Sequence, residues 1–284
     1  SITVPTSVTT ISDNAFSALF SLTNITIPNS VNQLGSYAFS SCNKLKNISL
    51  SENLTVIGDQ PFYGCGSLQS INVNPNNPFY LSELGVLYNK NKSVLIAYPA
   101  AKEDALYSLP PSVTDICPFA FLACSHLAEI TIPSGITHIA DMAFLGCISL
   151  IRINIPDTVT SIGEDCFADC RSLKSIIIPN SVQQLGSSAF RNCYNLIDVR
   201  MPQIFWGSRT SLGLNETPAV DTSSLVDLLA SRLATNDVFL TNLAQAILSN
   251  SNNYGIATKT DMGGAYANGV QQVLSQPANY NLFT

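Results

Sequence analysis

Six cysteines of this 284-residue chain recur in one register: Cys42, Cys65, Cys124, Cys147, Cys170 and Cys193. A thiolate is a strong nucleophile and a soft metal ligand, and two thiols make a disulfide, so a periodic row of them poses a question of chemistry first. The surrounding residues do not support any of the three. Only two histidines are present, His126 and His138, and neither has the spacing of a metal pair such as HExxH. No GxSxG, phosphate-binding glycine loop or paired CxxC occurs. Where later units carry cysteine, the first carries Leu19, so the slot takes a buried apolar group, which free cysteine resembles. Side chains of stacked units point the same way, which is poor geometry for a disulfide. The cysteines are therefore expected to be free and to pack, with no metal, no cofactor and no enzyme activity. Serine at Cys147 is expected to be destabilising, its hydroxyl buried without an assured partner. Cys166 stands in an alanine slot and also reads as core; Cys117, in a glycine slot, has no packing reason in the sequence.

The register is set by a repeat. A phenylalanine falls at 16, 39 and 62, then at 121, 144, 167 and 190, at a spacing of 23 within each block. The interval between blocks is 59, one regular unit and one enlarged to 36. The shared pattern is S-V-x-x-I-G-x-x-A-F-x-x-C-x-x-L-x-x-I-x-I-P. Its L-x-x-I-x-I end alternates with period two and predicts a strand, while the spacings of three and four in A-F-x-x-C-x-x-L predict about one helical turn. S-V-x-x-I predicts a second short extended piece. Proline after the strand, as at Pro156 and Pro179, ends it by removing a donor. One unit cannot bury its own apolar face, so the units must stack into a solenoid. The opening SITVP reads as the end of a further unit, so the array is expected to begin upstream.

The stretches IPNSVQQLGSSAFRNCYNL (178–196), IPDTVTSIGEDCFADCRSLKSIIIP (155–179) and IPSGITHIADMAFLGCISL (132–150) resemble the leucine-rich repeat family, and within it the bacterial BspA-like subclass. The resemblance covers residues 1–202. It implies an α/β repeat solenoid of 23-residue units and a secreted or cell-surface, adhesin-like role in protein binding. GVLYNKNKSVLIAYP, residues 85–99, looks like the hairpin that interrupts such arrays. Its two extended runs flank a turn-prone NKNK, itself a hairpin signal. The insertion is expected at about 75–110, outside the stack, with strands near 85–90 and 93–98.

Charged residues make up 11% of the chain against a usual quarter, and the net charge is −6, which argues against nucleic acid as a partner. No apolar run approaches the roughly 18 residues of a membrane helix. Low charge with abundant Asn, Ser and Thr fits an extracellular or cell-surface location.

Periodicity stops after Pro202. Residues 203–221 read as a cap or linker, with Phe205 and Trp206 either covering the open solenoid end or forming an exposed aromatic binding spot. Residues 222–284 read as a small all-α tail with a 26-residue internal repeat, AQAILSNSNNYGIAT matching VQQVLSQPANYNLFT. Its stripe of Leu225, Leu229, Leu240, Leu243 and Ile247 needs burial, against the solenoid end or a second copy.

What remains for function is the outward face of the strands, the surface solenoids use for binding. Its charged part holds Glu129, Thr131, Arg152, Asn154, Ile177, Asp198 and Arg200. These residues form either a solvated ladder, with Glu129 and Arg152 paired, or a ligand contact. The partner would be a host or matrix protein, or copies of the chain itself stacking into a surface fibre.

Overall fold

The computed structural model describes residues 2–214. The chain divides into two units, Ser1–Leu214 and Asn215–Thr284. Leu225, Leu229, Leu240, Leu243 and Ile247 lie outside the described residues, as does the expected helical tail.

The first regular coils contain β1 (Thr10–Ile11), β2 (Asn24–Thr26), β3 (Gln33–Leu34), β4 (Asn47–Leu50), β5 (Val56–Ile57) and β6 (Ser70–Val73). The enlarged unit adds β7 (Tyr80–Glu83), β8 (Val86–Asn89), β9 (Val94–Ala97) and β10 (Leu106–Ser108). The array ends with β11 (Asp115–Ile116), β12 (Glu129–Thr131), β13 (His138–Ile139), β14 (Arg152–Asn154), β15 (Ser161–Ile162), β16 (Ser175–Ile177), β17 (Gln184–Leu185) and β18 (Asp198–Arg200).

Regular coils pair in parallel with the next coil, so that Ile25 stands opposite Ile48 and Ile48 opposite Ile71. The alternation read from the sequence decides the faces: Ile130, Ile153 and Ile176 are buried while their neighbours along the strand point outward. The S-V-x-x-I piece forms a second parallel row, as in β13–β15–β17. Gly186 lies where this row meets the coil before it: a Cβ there would stand 2.3 Å from Glu164 N. Stacked phenylalanines run through the core, with ring centroids 4.9 Å apart for Phe121–Phe144 and 5.5 Å for Phe144–Phe167. Tyr98 takes the phenylalanine slot of the enlarged unit, stacking on Phe121 at 5.1 Å. Counted on this slot, the solenoid has eight coils, marked by Phe16, Phe39, Phe62, Tyr98, Phe121, Phe144, Phe167 and Phe190.

The helical turn expected in A-F-x-x-C-x-x-L is not there. Among the described residues the only helix is a 3-10 turn at Gln203–Ser208, so the fold is a β-solenoid rather than an α/β one. Residues four apart in each turn segment, such as Tyr37 and Ser41 or Asp165 and Asp169, hold positive φ, which interrupts any run of helical residues. Their amides leave the coil. The Tyr37, Phe39 and Ser41 N–H groups donate to Asp59 O, Pro61 O and Tyr63 O of the next coil, and Phe167 N–H donates to Ala189 O. The spacing of three and four is real, but it arises from i to i+3 turns, as in Cys42 N–H to Phe39 O, strung along a ladder between coils.

The insertion also departs from expectation. A hairpin forms from β8 and β9, but β7 adds to it and the sheet order is β11–β9–β8–β7, so the hairpin is built into the wall. Strand β9 pairs with β11, and β10 joins the main strand row beside β12. Val86, Leu87, Tyr88 and Leu95 are buried. Alternate side chains of β8 enter two separate core clusters: Leu87 joins the N-terminal one, while Val86 and Tyr88 join the C-terminal one. Asn77 is buried and satisfied at both ends. Its Nδ2 donates to Ser51 O and Leu54 O at 2.9 Å each, and its Oδ1 accepts from Phe79 N–H and Tyr80 N–H.

Candidate functional site

The cysteine row comes first because its spacing is the most chemical feature of the sequence. All eight thiols are free. Each in the repeat slot reaches back 26 residues to the carbonyl of the preceding phenylalanine slot. Cys147 Sγ donates to Phe121 O at 3.0 Å, Cys65 to Phe39 O at 3.1 Å and Cys193 to Phe167 O at 3.0 Å. The contact is longest where the enlarged unit intervenes, 3.9 Å from Cys124 to Tyr98 O. The thiol is therefore a small apolar filler that also carries a weak donor for a buried carbonyl. Burial pushes Cys65 and Cys193 up to about 12, so neither is a thiolate at neutral pH. Among the described residues no three His, Cys, Asp or Glu side chains are grouped to hold a metal.

Two outcomes follow. The Cys147 thiol donates to Phe121 O, so a serine hydroxyl at this position would have that carbonyl as its nearest acceptor. Cys147→Ala, which loses the donor and leaves a void, should destabilise by about 1–3 kcal/mol and by more than Cys147→Ser, read from urea denaturation; the reverse order would count against carbonyl capping. The raised thiols also give a pH dependence. The unfolded thiols ionise near their ordinary value while the buried ones stay protonated, so stability is full below about pH 8.5 and falls as pH rises towards 12. The urea midpoint at pH 10.5 should accordingly lie below that at pH 8.

His126 and His138 are both exposed, the latter with Nδ1 2.7 Å from Ser161 Oγ. Near the last coil Phe205 is buried with Leu212 and Leu214, and the turn ladder continues as Phe190 N–H donates to Leu212 O. Trp206 is 38% exposed, with the Arg209 guanidinium 5.4 Å from its ring centroid.

The outward strand face is assembled by the parallel registers. Strand β12 sets Glu129 opposite Arg152 and Thr131 opposite Asn154, and β16 sets Ser175 opposite Asp198 and Ile177 opposite Arg200. Glu129 and Arg152 approach to 4.0 Å, and Arg200 pairs with Asp198 on its own strand at 3.4 Å. All four are well exposed, where such pairs contribute about 0–1 kcal/mol, so these charges remain open to other partners. The N-terminal part of the face is uncharged, with Asn47 Nδ2 donating to Asn24 Oδ1 at 3.1 Å. Ile177 lies in the charged half and is 59% exposed.

The sequence reading missed four residues beside this row. Ile151 and Ile197 directly precede β14 and β18, Ile148 and Tyr194 lie three residues earlier, and all four are exposed, Ile197 at 78%. A signal for them was present: the Ile151 slot is polar or small in the other coils, Thr23, Lys46, Gln69, Ala105, Ala128 and Lys174, and carries a large apolar side chain only at Ile151 and Ile197.

Three solved structures resemble this chain. A leucine-rich repeat protein from Eubacterium ventriosum is 31% identical with a TM-score of 0.59, over 67% of this chain and 57% of its own. The pneumococcal vaccine antigen PcpA is 26% identical with a TM-score of 0.59, over 67% of this chain and 53% of its own. A leucine-rich cell surface protein from Faecalibacterium prausnitzii is 28% identical with a TM-score of 0.53, over 69% and 64%. The chain thus spans little more than half the length of the first two. Comparison with the curated proteins found no match. The profile of the BspA type leucine rich repeat region matches six copies over residues 1–84 and 105–208, and with coils, strand registers and cysteine slots that follow the same repeat, the chain belongs to the BspA type leucine-rich repeat family.

Proposed function

We propose that this chain is a non-enzymatic, adhesin-like binding module of an extracellular or cell-surface protein, and that it holds another protein, host or matrix, on the outward face of β12, β14, β16 and β18. The carrying observation is Ile177, an isoleucine more than half exposed in a strand row where the neighbouring positions are polar. With Ile151 and Ile197 just before β14 and β18, and Glu129, Arg152, Asp198 and Arg200 on the strands, the face combines exposed apolar residues with charges, as protein-binding surfaces do. The name of the Faecalibacterium prausnitzii structure, a cell surface protein, supports the location.

The test is solid-phase binding of the full chain to fibronectin, fibrinogen, laminin and mucin, compared with Ile177→Asp and Arg200→Glu. At least one of these proteins should bind saturably, and each variant should weaken it about tenfold or more. Binding that both variants leave unchanged would remove the strand face from the reading. Light scattering of the same protein separates a monomeric module from self-association into a fibre.

A further inference from the structure

The first, second, sixth and seventh coils satisfy all three turn-side amides on the coil that follows and the fifth satisfies two, but among the described residues the third coil satisfies none. Among the described residues the N–H groups of Gln60, Phe62 and Gly64 donate no hydrogen bond, although their counterparts Tyr37, Phe39 and Ser41 all donate to the next coil. Across the gap, Ala120 O accepts from Tyr98 N–H at 2.7 Å, whereas Pro118 O accepts nothing and Leu122 O meets only Cys124 Sγ, at 4.0 Å. Free donors of the third coil and free acceptors of the fifth thus line one cleft.

The cause is the hairpin. On the strand side it fills the space between the third coil and the fourth, with Gly85 O accepting from Ile71 N–H and Ser82 Oγ from Val73 N–H. Neighbouring strands lie about 4.8 Å apart, so an added strand separates the coils by about that much again. Nothing equivalent fills the turn side. A cleft of about 610 Å³ opens there, floored by Phe62, Ile96, Ala97, Cys117 and Ala120. The rings of Tyr63 and Phe119 meet at its mouth with centroids 5.6 Å apart. The phenylalanine stack breaks at the same place: Phe62 stacks on Phe39 at 6.2 Å and is only partly buried. Asp59 is the one charged residue in the wall among the described residues. Cys117, which had no packing reason in the sequence, is half-buried here, and burial, then Asp115 and Asp59, push its thiol up to about 11.

We infer that this cleft binds an extended segment of a partner polypeptide, whose carbonyls accept from Gln60, Phe62 and Gly64 and whose apolar side chain packs on Phe62, with a neighbouring Lys or Arg drawn to Asp59. Backbone pairing supplies the register and the pocket selects the side chain, the physics of strand addition to an open edge. The strand face and the cleft lie on different sides of the coil, so neither site requires the other.

The probe is a fluorescein-labelled peptide, acetyl-Lys-Val-Phe-Val-Lys-amide, titrated into the full chain and followed by anisotropy and by amide hydrogen exchange. Saturable binding with slowed exchange confined to residues 58–66 and 117–123 is expected. The same peptide with alternate amides N-methylated, the Glu-flanked peptide, and the variant Asp59→Lys with the original peptide should each bind about tenfold more weakly or worse. Arg200→Glu on the strand face should bind the peptide normally. A dissociation constant weaker than about 1 mM, equal binding of the N-methylated peptide, or protection elsewhere on the chain would overturn the site.

Discussion

Excising residues 76–90 and joining the ends with two glycines should leave the chain without a cooperative unfolding transition, and Tyr88→Ala alone should cost about 3–5 kcal/mol. A loop outside the stack would be dispensable, since surface loops tolerate large changes in length. Here β8 is a shared wall. Its buried side chains divide between the two core clusters, with Leu87 in one and Val86 and Tyr88 in the other. The Tyr88 and Tyr107 hydroxyls hydrogen-bond to each other, so removing either ring strands the other's polar end. Excision also removes Asn77, leaving Ser51 O and Leu54 O without its amide donor. Urea denaturation followed by circular dichroism checks both variants. A shortened chain that unfolds cooperatively near the parent midpoint would place the hairpin outside the structural core.

Phe144→Ala should destabilise the solenoid by about 3–5 kcal/mol, and Phe16→Ala by less than half as much. Phe144 is fully buried between two rings, Phe121 and Phe167, so the substitution leaves a cavity and removes two aromatic contacts. Phe16 is partly buried and stacks on one ring, Phe39, at 5.2 Å. Because each coil touches only its neighbours, the loss at Phe144 should appear as local opening of the coils beside it before global unfolding. Native-state hydrogen exchange would detect this as faster exchange in residues 121–176, with residues 30–50 unchanged. Uniform acceleration along the chain would mean that the solenoid opens as a single unit.

The period of 23 was legible because stacked coils must place like side chains over one another, and Phe121, Phe144, Phe167 and Phe190 do so ring on ring. The inward set of each strand was legible for the same reason as in any half-buried sheet: Ile130, Ile153 and Ile176 alternate with outward residues. The outward row, including Glu129 opposite Arg152, followed directly from the register. Ile148, Ile151, Tyr194 and Ile197 were passed over because the strand pattern was read from the paired positions only, and these residues stand just before them.

The sequence by itself therefore determined the repeat, the inward and outward residues, and the role of the cysteine slot as packing, since all three depend on residue type at a fixed period. Three features were decided only by the tertiary structure. The first is where the turn amides bond: spacings of three and four look alike whether an amide stays in a helix or crosses to the next coil, and Phe39 N–H crosses to Pro61 O. The second is the partner of each repeat-slot thiol, a carbonyl 26 residues back, which exists only once the coils are stacked. The third is the place of the insertion. The run Val86, Leu87, Tyr88, apolar on both faces of a strand, signals burial on two sides, but only the folded chain shows that it lies between two coils and holds them a strand's width apart on the opposite side.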